Sequence, residues 1–132
     1  MPGSSFALVR YNSDGSLDAT FGIGGKVATD FGGSDVAFAL VQQPDGKLLA
    51  AGDSFFLAIR NTDFVLARYN ANGSLDPTFG IGGKVITDFG GADEAGSIVL
   101  QADGKVVAVG FGNTPTSNSG FALARYNIVY LN

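Results

Sequence analysis

The sequence predicts an all-β protein built from blade-like sheets of four antiparallel strands. The stretch from Phe6 to Gly52 recurs from Phe64 to Gly110 with about two-thirds of its positions identical, and it begins a third time at Phe121. The copies start 58 and 57 residues apart, and each is rich in short apolar runs and glycine-bearing turns. Repeats of this kind favour one small sheet per copy.

The whole chain of 132 residues is predicted to form one repeat domain. We place repeat 1 at residues 6–63, repeat 2 at residues 64–120 and a partial third repeat at residues 121–132. Hydrophobic residues make up 45% of the chain and charged residues 15%, which is the balance of a folded protein. Glycines number 20 and no apolar pattern has helical spacing, so helices are not expected.

Four strands, labelled A to D, are predicted in each repeat. β-Branched and aromatic residues fill these segments, and an Asp-Gly pair between A and B indicates a hairpin. Strand A is expected at Val36–Gln43 and Ala95–Gln101, strand B at Lys47–Gly52 and Lys105–Gly110, strand C from Phe6, Phe64 and Phe121, and strand D at Gly25–Phe31 and Gly83–Phe89.

The predicted strands are apolar on both faces instead of alternating between apolar and polar residues. Leu48–Ala51 and Val106–Val109 are the clearest examples. A sheet that is covered on both sides gives this pattern, and recurring alanines and glycines allow neighbouring sheets to approach closely. The sequence therefore favours radially packed blades over a two-sheet sandwich.

Three motifs give the chain a family resemblance. Phe6–Asp18, Phe21–Val27 and the Gln-Pro-Asp-Gly-Lys segment Gln43–Lys47 resemble the bacterial delta-60 repeat, which is similar to the β-propeller repeats of the NHL type. The resemblance implies one propeller blade per repeat and a place in secreted or surface proteins, with no general activity. The third copy departs from the repeat after Asn127.

Counting strands predicts that copies of the chain associate. The order along the chain is C, D, A, B, C, D, A, B, C, which amounts to about two blade equivalents. A propeller needs about four to eight blades to close, so we expect the ring to be completed by homo-oligomerisation. A trimer with six blades is favoured and a tetramer with eight is the alternative. Phe6–Asn12 and Phe121–Asn127 would then compete for the same C position.

Composition excludes several classes of function. The net charge is −4 and the eight basic residues are scattered, so nucleic acid is not an expected partner. No run of about 18 apolar residues is present, so membrane insertion is not expected. Cysteine and histidine are absent, which removes disulfides, thiolate nucleophiles and imidazole bases. The first five residues lack the pattern of a secretory signal, and the cellular location is left unassigned.

Repeated arginines and aspartates are the candidate structural residues. An arginine in an apolar strand needs a carboxylate partner, because an unpaired buried guanidinium is costly. Aspartates recur in step with the arginines, so we predict a structural ion pair in each blade over a ligand site. The set comprises Arg10, Arg68, Arg125, Asp18, Asp76, Asp30 and Asp88.

Catalysis is not expected, and no cofactor or metal is predicted. Almost every aspartate is duplicated at the repeat period, whereas a catalytic pair needs two carboxylates in different roles. The turns Asn12–Asp18 and Asn70–Asp76 loosely resemble calcium loops but lack the bidentate glutamate. We interpret them as plain turns.

The loops predicted at residues 53–63 and 111–120, which differ between the repeats, are the main part of the candidate ligand site. In a propeller the D–A and B–C connections emerge on one face, and binding residues concentrate on such loops. The candidates are Phe55, Phe56, Arg60, Asn61, Glu94, Asn113, Thr116 and Asn118. The favoured function is a non-catalytic structural or ligand-binding scaffold for a carbohydrate or protein ligand. The alternative is a multivalent carbohydrate-binding module, and a carboxylate-based hydrolase is less favoured.

Overall fold

A computed structural model describes residues 3–128, and within them it leaves out the side chains of residues 117–119. The described residues form nine strands and contain no helix long and apolar enough to cross a membrane. The strands are β1 (Phe6–Val9), β2 (Lys26–Thr29), β3 (Ser34–Gln42), β4 (Leu48–Phe56), β5 (Asn61–Tyr69), β6 (Lys84–Thr87), β7 (Asp93–Leu100), β8 (Val106–Thr114) and β9 (Ser117–Tyr126).

The nine strands form three antiparallel sheets, which we call blades I, II and III. Blade I consists of β1 and β2, blade II of β3 to β6 in sequential order, and blade III of β7 to β9. Blade II is therefore an unbroken A–B–C–D sheet, whereas blade I holds only strands C and D and blade III only A, B and C. The all-β prediction is confirmed. Blade II also crosses the repeat boundary, since β3 belongs to repeat 1 and β6 to repeat 2.

Two apolar cores lie between the blades, one on each side of blade II. We call the side of blades II and III that is directed towards blade I the leading face, and the opposite side the trailing face. The trailing face of blade I is the side that packs on blade II, and its leading face is the other side. On blade II, Ala50, Val65 and Ala67 of the leading face pack with Phe6 and Phe31 of blade I. The trailing face of blade II packs against blade III through Leu49, Ala51, Phe64 and Leu66. The apolar pattern on both strand faces is thus explained by stacking.

Burial of apolar side chains between the blades is the main contribution to stability in this structure. Every residue from Asp63 to Tyr69 is buried, so β5 is covered on both faces. Phe64 and Leu66 are fully buried, and each contributes about 1.5–3 kcal/mol relative to an exposed side chain. Strand C of blade II therefore lies at the centre of the described molecule.

The segments between strands B and C are hairpins, which corrects our prediction of long loops at residues 53–63 and 111–120. Strand β4 continues to Phe56 and pairs with β5 through Ser54↔Asp63 and Phe56↔Asn61. Strand β8 likewise continues to Thr114 and pairs with β9. The differing residues are compatible with a ladder because the backbone, and not the side-chain type, makes the pairing hydrogen bonds. Only residues 57–60 and 115–116 remain as turns.

A glycine in strand B lets the inner strand A pass close by. The β3–β4 ladder shifts register between Ala37 and Ala39, and the backbone of Val36 lies against Gly52 there. A Cβ atom on Gly52 would overlap the carbonyl oxygen of Val36. Blade III repeats the contact between Gly110 and the carbonyl of Glu94. The conserved spacing of these glycines in the two repeats is therefore a packing requirement of the bulged A strand.

Candidate functional site

An arginine, an aspartate and a threonine form a compact cluster at the C–D end of blade II. Arg68 Nε lies 2.9 Å from Asp76 Oδ2 as an ion pair without a well-directed hydrogen bond. Arg68 Nη2 donates to Thr78 Oγ1 (3.1 Å), and the guanidinium lies 4.9 Å from the centre of the Phe79 ring. Both Arg68 and Asp76 are buried.

Lys47 adds a second cation to this cluster. Its Nζ donates to Asp76 Oδ2 (2.6 Å) and to Asn70 Oδ1 (3.2 Å), so it links the A–B hairpin to the C–D turn of the same blade. Burial alone would raise the pKa of Asp76, but hydrogen bonds from Lys47 and Thr78 hold that pKa well below its usual range. Asp76 is therefore a carboxylate anion shared by two cations.

Blade I carries the same arginine, aspartate and threonine, with one additional contact and with no lysine bound to the aspartate among the described residues. Arg10 Nε lies 2.7 Å from Asp18 Oδ2, and Nη2 donates to Thr20 Oγ1 (3.2 Å). Nη1 of Arg10 also donates to the backbone carbonyl of Ala71 in blade II (2.7 Å). Arg10 thus ties blade I to the C–D turn of blade II.

The corresponding bond of Arg68 is missing in the described part of the chain. Arg68 is only 2% exposed, and its Nη1 has no hydrogen-bond partner among residues 3–128. A buried donor without an acceptor is energetically costly. Nη1 of Arg68 therefore marks a position where an acceptor is needed.

Asp30, Asp88 and Arg125 differ from the predicted ion pairs. Asp30 Oδ1 accepts the backbone N–H of Gly32 (2.7 Å), and Asp88 Oδ1 accepts that of Gly90 (2.6 Å). These aspartates cap the turns between strands D and A instead of pairing with arginines. Arg125 lies exposed on blade III and makes no carboxylate ion pair among the described residues. Short Asx turns compete well for a carboxylate that follows a strand directly.

A tyrosine and a threonine connect neighbouring blades. The hydroxyls of Tyr69 and Thr29 lie 2.7 Å apart between blades II and I, and those of Tyr126 and Thr87 lie 2.7 Å apart between blades III and II. Tyr11 holds the same position in blade I but is 60% exposed. The prediction did not include these threonines or Lys47, although their recurrence at the repeat period was a usable signal.

Carboxylates concentrate at the opposite end of the blades, where the B–C hairpins and D–A turns meet. Burial and the nearby charges of Glu94 and Asp35 raise the pKa of Asp53 to about 6. Burial, Asp88 and Asp93 raise the pKa of Asp63 to about 6. Protons are therefore taken up at this end of the molecule in mildly acidic solution.

Three of these carboxylates lie close enough together to face a cation. Oxygens of Asp63, Asp88 and Asp93 all lie within 4.8 Å of one another. Asp93 already accepts the backbone N–H groups of Phe89 (2.7 Å) and Asn113 (3.1 Å). These bonds give the group a structural role, and acidic clusters alone do not define a metal site.

The predicted ligand residues are spread over two hairpins and a strand. Phe55 and Phe56 end β4, Arg60 lies in the turn and Asn61 begins β5. Thr116 lies in the other turn, beside β8. All of these residues were expected in loops, but Phe55, Phe56 and Asn61 lie in strands, as do Glu94 in β7 and Asn113 in β8, because the ladders extend further than predicted. The side chain of Asn118 lies outside the described residues.

Two apolar grooves flank the stack of blades. The leading groove, of about 560 Å³, lies between Ala7–Arg10, at the edge of β1 that has no partner strand among residues 3–128, and blade II residues that include Leu40, Leu48 and Ala50. The trailing groove, of about 740 Å³, is lined by Phe38, Glu94, Val109, Phe111 and Phe121. Phe38 and Phe111 were missed by the prediction, although the other repeat has Gly96 and Asp53 in their places.

The three stacked sheets agree with a comparison of the chain with known families. A family described as a domain of unknown function (DUF5122) β-propeller matches residues 2–21, 43–79 and 101–127, which is more than half of the chain. The chain belongs to the DUF5122 β-propeller family. No curated protein matches it.

Membership of the DUF5122 family allows each of the two grooves to be assigned a position in a propeller. In a propeller each blade is packed between two neighbours around a central axis, as blade II is here. The leading groove lies where strands A and B would complete blade I, and the trailing groove lies where a further blade would follow blade III. A DUF5122 propeller is suited to a binding or scaffold role, and its family description names no ligand.

Proposed function

We propose that the chain is a non-catalytic scaffold of delta-60 type whose copies associate into a closed β-propeller. Each copy supplies two blade equivalents, so three copies give six blades and four copies give eight; the trimer is favoured. The ends of the B–C hairpins then form a ring of equivalent surfaces on one face. Protein or carbohydrate ligands would bind there, and the several equivalent sites of one ring would raise the overall affinity.

The observation that carries this proposal is the open leading groove. In blade II, strands A and B pair beside strand C. In blade I no described strand pairs with the other edge of β1, and the apolar side chains of Leu48 and Ala50 line the space next to it. The complementary surface is the trailing side of β8, where Val107 and Val109 are half-buried. Their counterparts Leu49 and Ala51 in blade II are fully buried. An interface between two different surfaces of the chain is repeated from each copy to the next. Such an interface gives a ring when the rotation between copies closes.

A non-catalytic role is supported by the bonds that the repeated acids already make. Asp35 accepts the backbone N–H of Phe31 (2.8 Å), as Asp93 does that of Phe89. Asp18 and Asp76 are engaged by arginines. Carboxylates held in this way stabilise turns and have little freedom for acid–base chemistry.

Val107→Asp tests the proposed association. The change places a carboxylate on the surface that would lie between copies, where an unpaired charge is costly. We expect the variant to keep its β-sheet circular dichroism and to have the mass of a single chain by light scattering.

Ile81→Asp is the matched control. Ile81 is 88% exposed although blade II has a neighbour on each side, so this position stays in solvent after assembly. The control variant should have the same mass as the unmodified chain. An assembly that persists in folded Val107→Asp would contradict the proposal.

The carbohydrate-binding alternative rests on the hairpin between β4 and β5. Phe55 is an exposed ring in this hairpin, close in sequence to the amide of Asn61, and an aromatic face beside amides suits a sugar. A glycan array would identify such a ligand, and Phe55→Ala should then abolish its binding without changing the mass of the assembly.

A further inference from the structure

We infer that the copies join by strand exchange: β1 and β2 of one copy displace β9 of another and complete its blade III as strands C and D. The inference rests on the proposed self-association and specifies the site at which it occurs. The docking site on one copy is the free edge of β1 together with the turn Asn12–Asp18. The occupant is the β7–β8 hairpin of a second copy.

β1 and β9 are interchangeable as partners of β8. The segment Phe-Ala-Leu-Val-Arg-Tyr-Asn at Phe6–Asn12 differs from Phe121–Asn127 only at Val9, where the second segment has Ala124. In blade II, Ala50 pairs with Ala67, and in blade III the equivalent Ala108 pairs with Ala124. The same register would pair Ala108 with Val9 of a second copy.

β9 is held less completely than the strand that would replace it. Its outer edge has no D strand among the described residues, and Phe121 is 94% exposed. Phe6 in β1 is fully buried, and its ring centre lies 5.0 Å from that of Phe31. The exchange therefore removes β9, one side of which is largely exposed. Its place is taken by β1, which is already paired with its own D strand, β2.

The unpartnered Nη1 of Arg68 gains an acceptor in this arrangement. Arg10 of blade I donates through Nη1 to the carbonyl of Ala71 in the following blade. The repeat places Ser13 at the position of Ala71. When β1 and β2 of a second copy follow blade II, the carbonyl of its Ser13 lies where Arg68 needs an acceptor.

Charge complementarity points to the same partner. In blade II, Lys47 of the A–B hairpin reaches Asp76 of the C–D turn at 2.6 Å. The equivalent Lys105 in blade III turns back to Asp103 in its own hairpin (2.8 Å). Asp18 is bound by Arg10 but by no lysine among the described residues. After the exchange, Lys105 of one copy and Asp18 of the next would form the ion pair that Lys47 and Asp76 form within blade II.

The exposed groups on the leading face of blade I would also be covered. Val9 and Tyr11 are exposed in the single chain, and after exchange they take the places of Ala124 and Tyr126 against blade II of the other copy. Tyr11 then meets Thr87 as Tyr126 does now (2.7 Å). Each copy contributes two complete blades to the ring.

A pair of introduced cysteines tests the exchange, because the chain has no cysteine of its own. Val9 and Ala108 belong to blades I and III, which are separated by blade II, so they cannot form a disulfide within one chain. We expect the double variant Val9→Cys, Ala108→Cys to form disulfides between chains, and denaturing gels without reductant should show linked multimers.

The control pair is Ala108→Cys with Ala124→Cys. These residues are partners in the β8–β9 ladder, so the disulfide locks β9 in its own blade. We expect the oxidised control to be a single folded chain and the reduced control to assemble. Reduction thereby shows that the substitutions themselves permit folding and association.

The possible results separate the inference from the proposal on which it rests. Multimers linked through residues 9 and 108, together with loss of assembly in the oxidised control, support the exchange. An assembly that gives no such link, or that persists when β9 is locked, overturns the exchange but leaves self-association intact. A single chain under all conditions overturns both.

Discussion

At the scale of single residues, neighbours divide the carboxylates into two groups with opposite electrostatic effects. Asp76 has a lowered pKa because Lys47 and Thr78 bind it, so its charged form stabilises the fold. Asp53 has a pKa raised to about 6 by burial and by Glu94 and Asp35. One oxygen of Asp53 is buried without a hydrogen-bond partner among the described residues. The charged form of Asp53 therefore opposes folding.

Asp53→Asn tests this assignment. The folded pKa of about 6 lies above the ordinary value of 3.8, so stability is lost as pH rises from about 4 through 6. The variant should gain about 1 kcal/mol in unfolding free energy at pH 8, after allowance for partial exposure, and almost nothing at pH 4. Urea denaturation at the two pH values measures both. Equal effects at pH 4 and pH 8 would contradict a charge-based cause.

At the scale of elements, the chain repeats a bulged A strand that packs on a glycine of strand B. Gly52 and Gly110 meet the carbonyls of Val36 and Glu94 in the same way. Around this contact the hairpins can differ in sequence and in the length of their turns. The scaffold is therefore determined by a few close contacts, while the hairpin ends are free to vary.

Gly52→Ala is expected to destabilise blade II. The new Cβ overlaps a backbone oxygen, which cannot move without shifting the ladder, so we expect a loss of about 1–3 kcal/mol in unfolding free energy. Gly120→Ala is the control, because nothing lies within 4 Å of its added Cβ and its φ is not in the left-handed region. A similar loss in both variants would show that the close approach at Gly52 is not the cause, because the lower entropy of the unfolded chain with alanine favours folding.

Much of this architecture was predictable because the signals are local or periodic. The Asp-Gly turns, the apolar runs and the repeat itself predicted the strands and their stacking. The extension of β4 to Phe56 was missed, because Ser54 and Phe55 have no repeated counterpart that indicates pairing. The contact of Lys47 with Asp76 joins residues far apart in the chain, and only the fold brings them together.

At the scale of the whole molecule, two grooves and several half-made contacts have one common explanation. The leading groove, the open trailing side of β8 and the buried Nη1 of Arg68 all lack a neighbour that blade II possesses. In the same way, Asp18 and Lys105 do not form with any described residue the lysine–aspartate pair that Lys47 and Asp76 form in blade II. In the proposed ring, a second copy would supply every one of these missing parts.

The molar mass of the unmodified chain in solution is the decisive measurement for the proposed association. Light scattering coupled to size exclusion should give one species with three times the mass of a single chain, or four times if the ring has eight blades. The mass should stay constant on dilution across the peak, because a closed ring has no free end at which to grow. A single-chain mass at all concentrations, or a continuous series of larger species, would contradict a closed propeller made from copies of this chain.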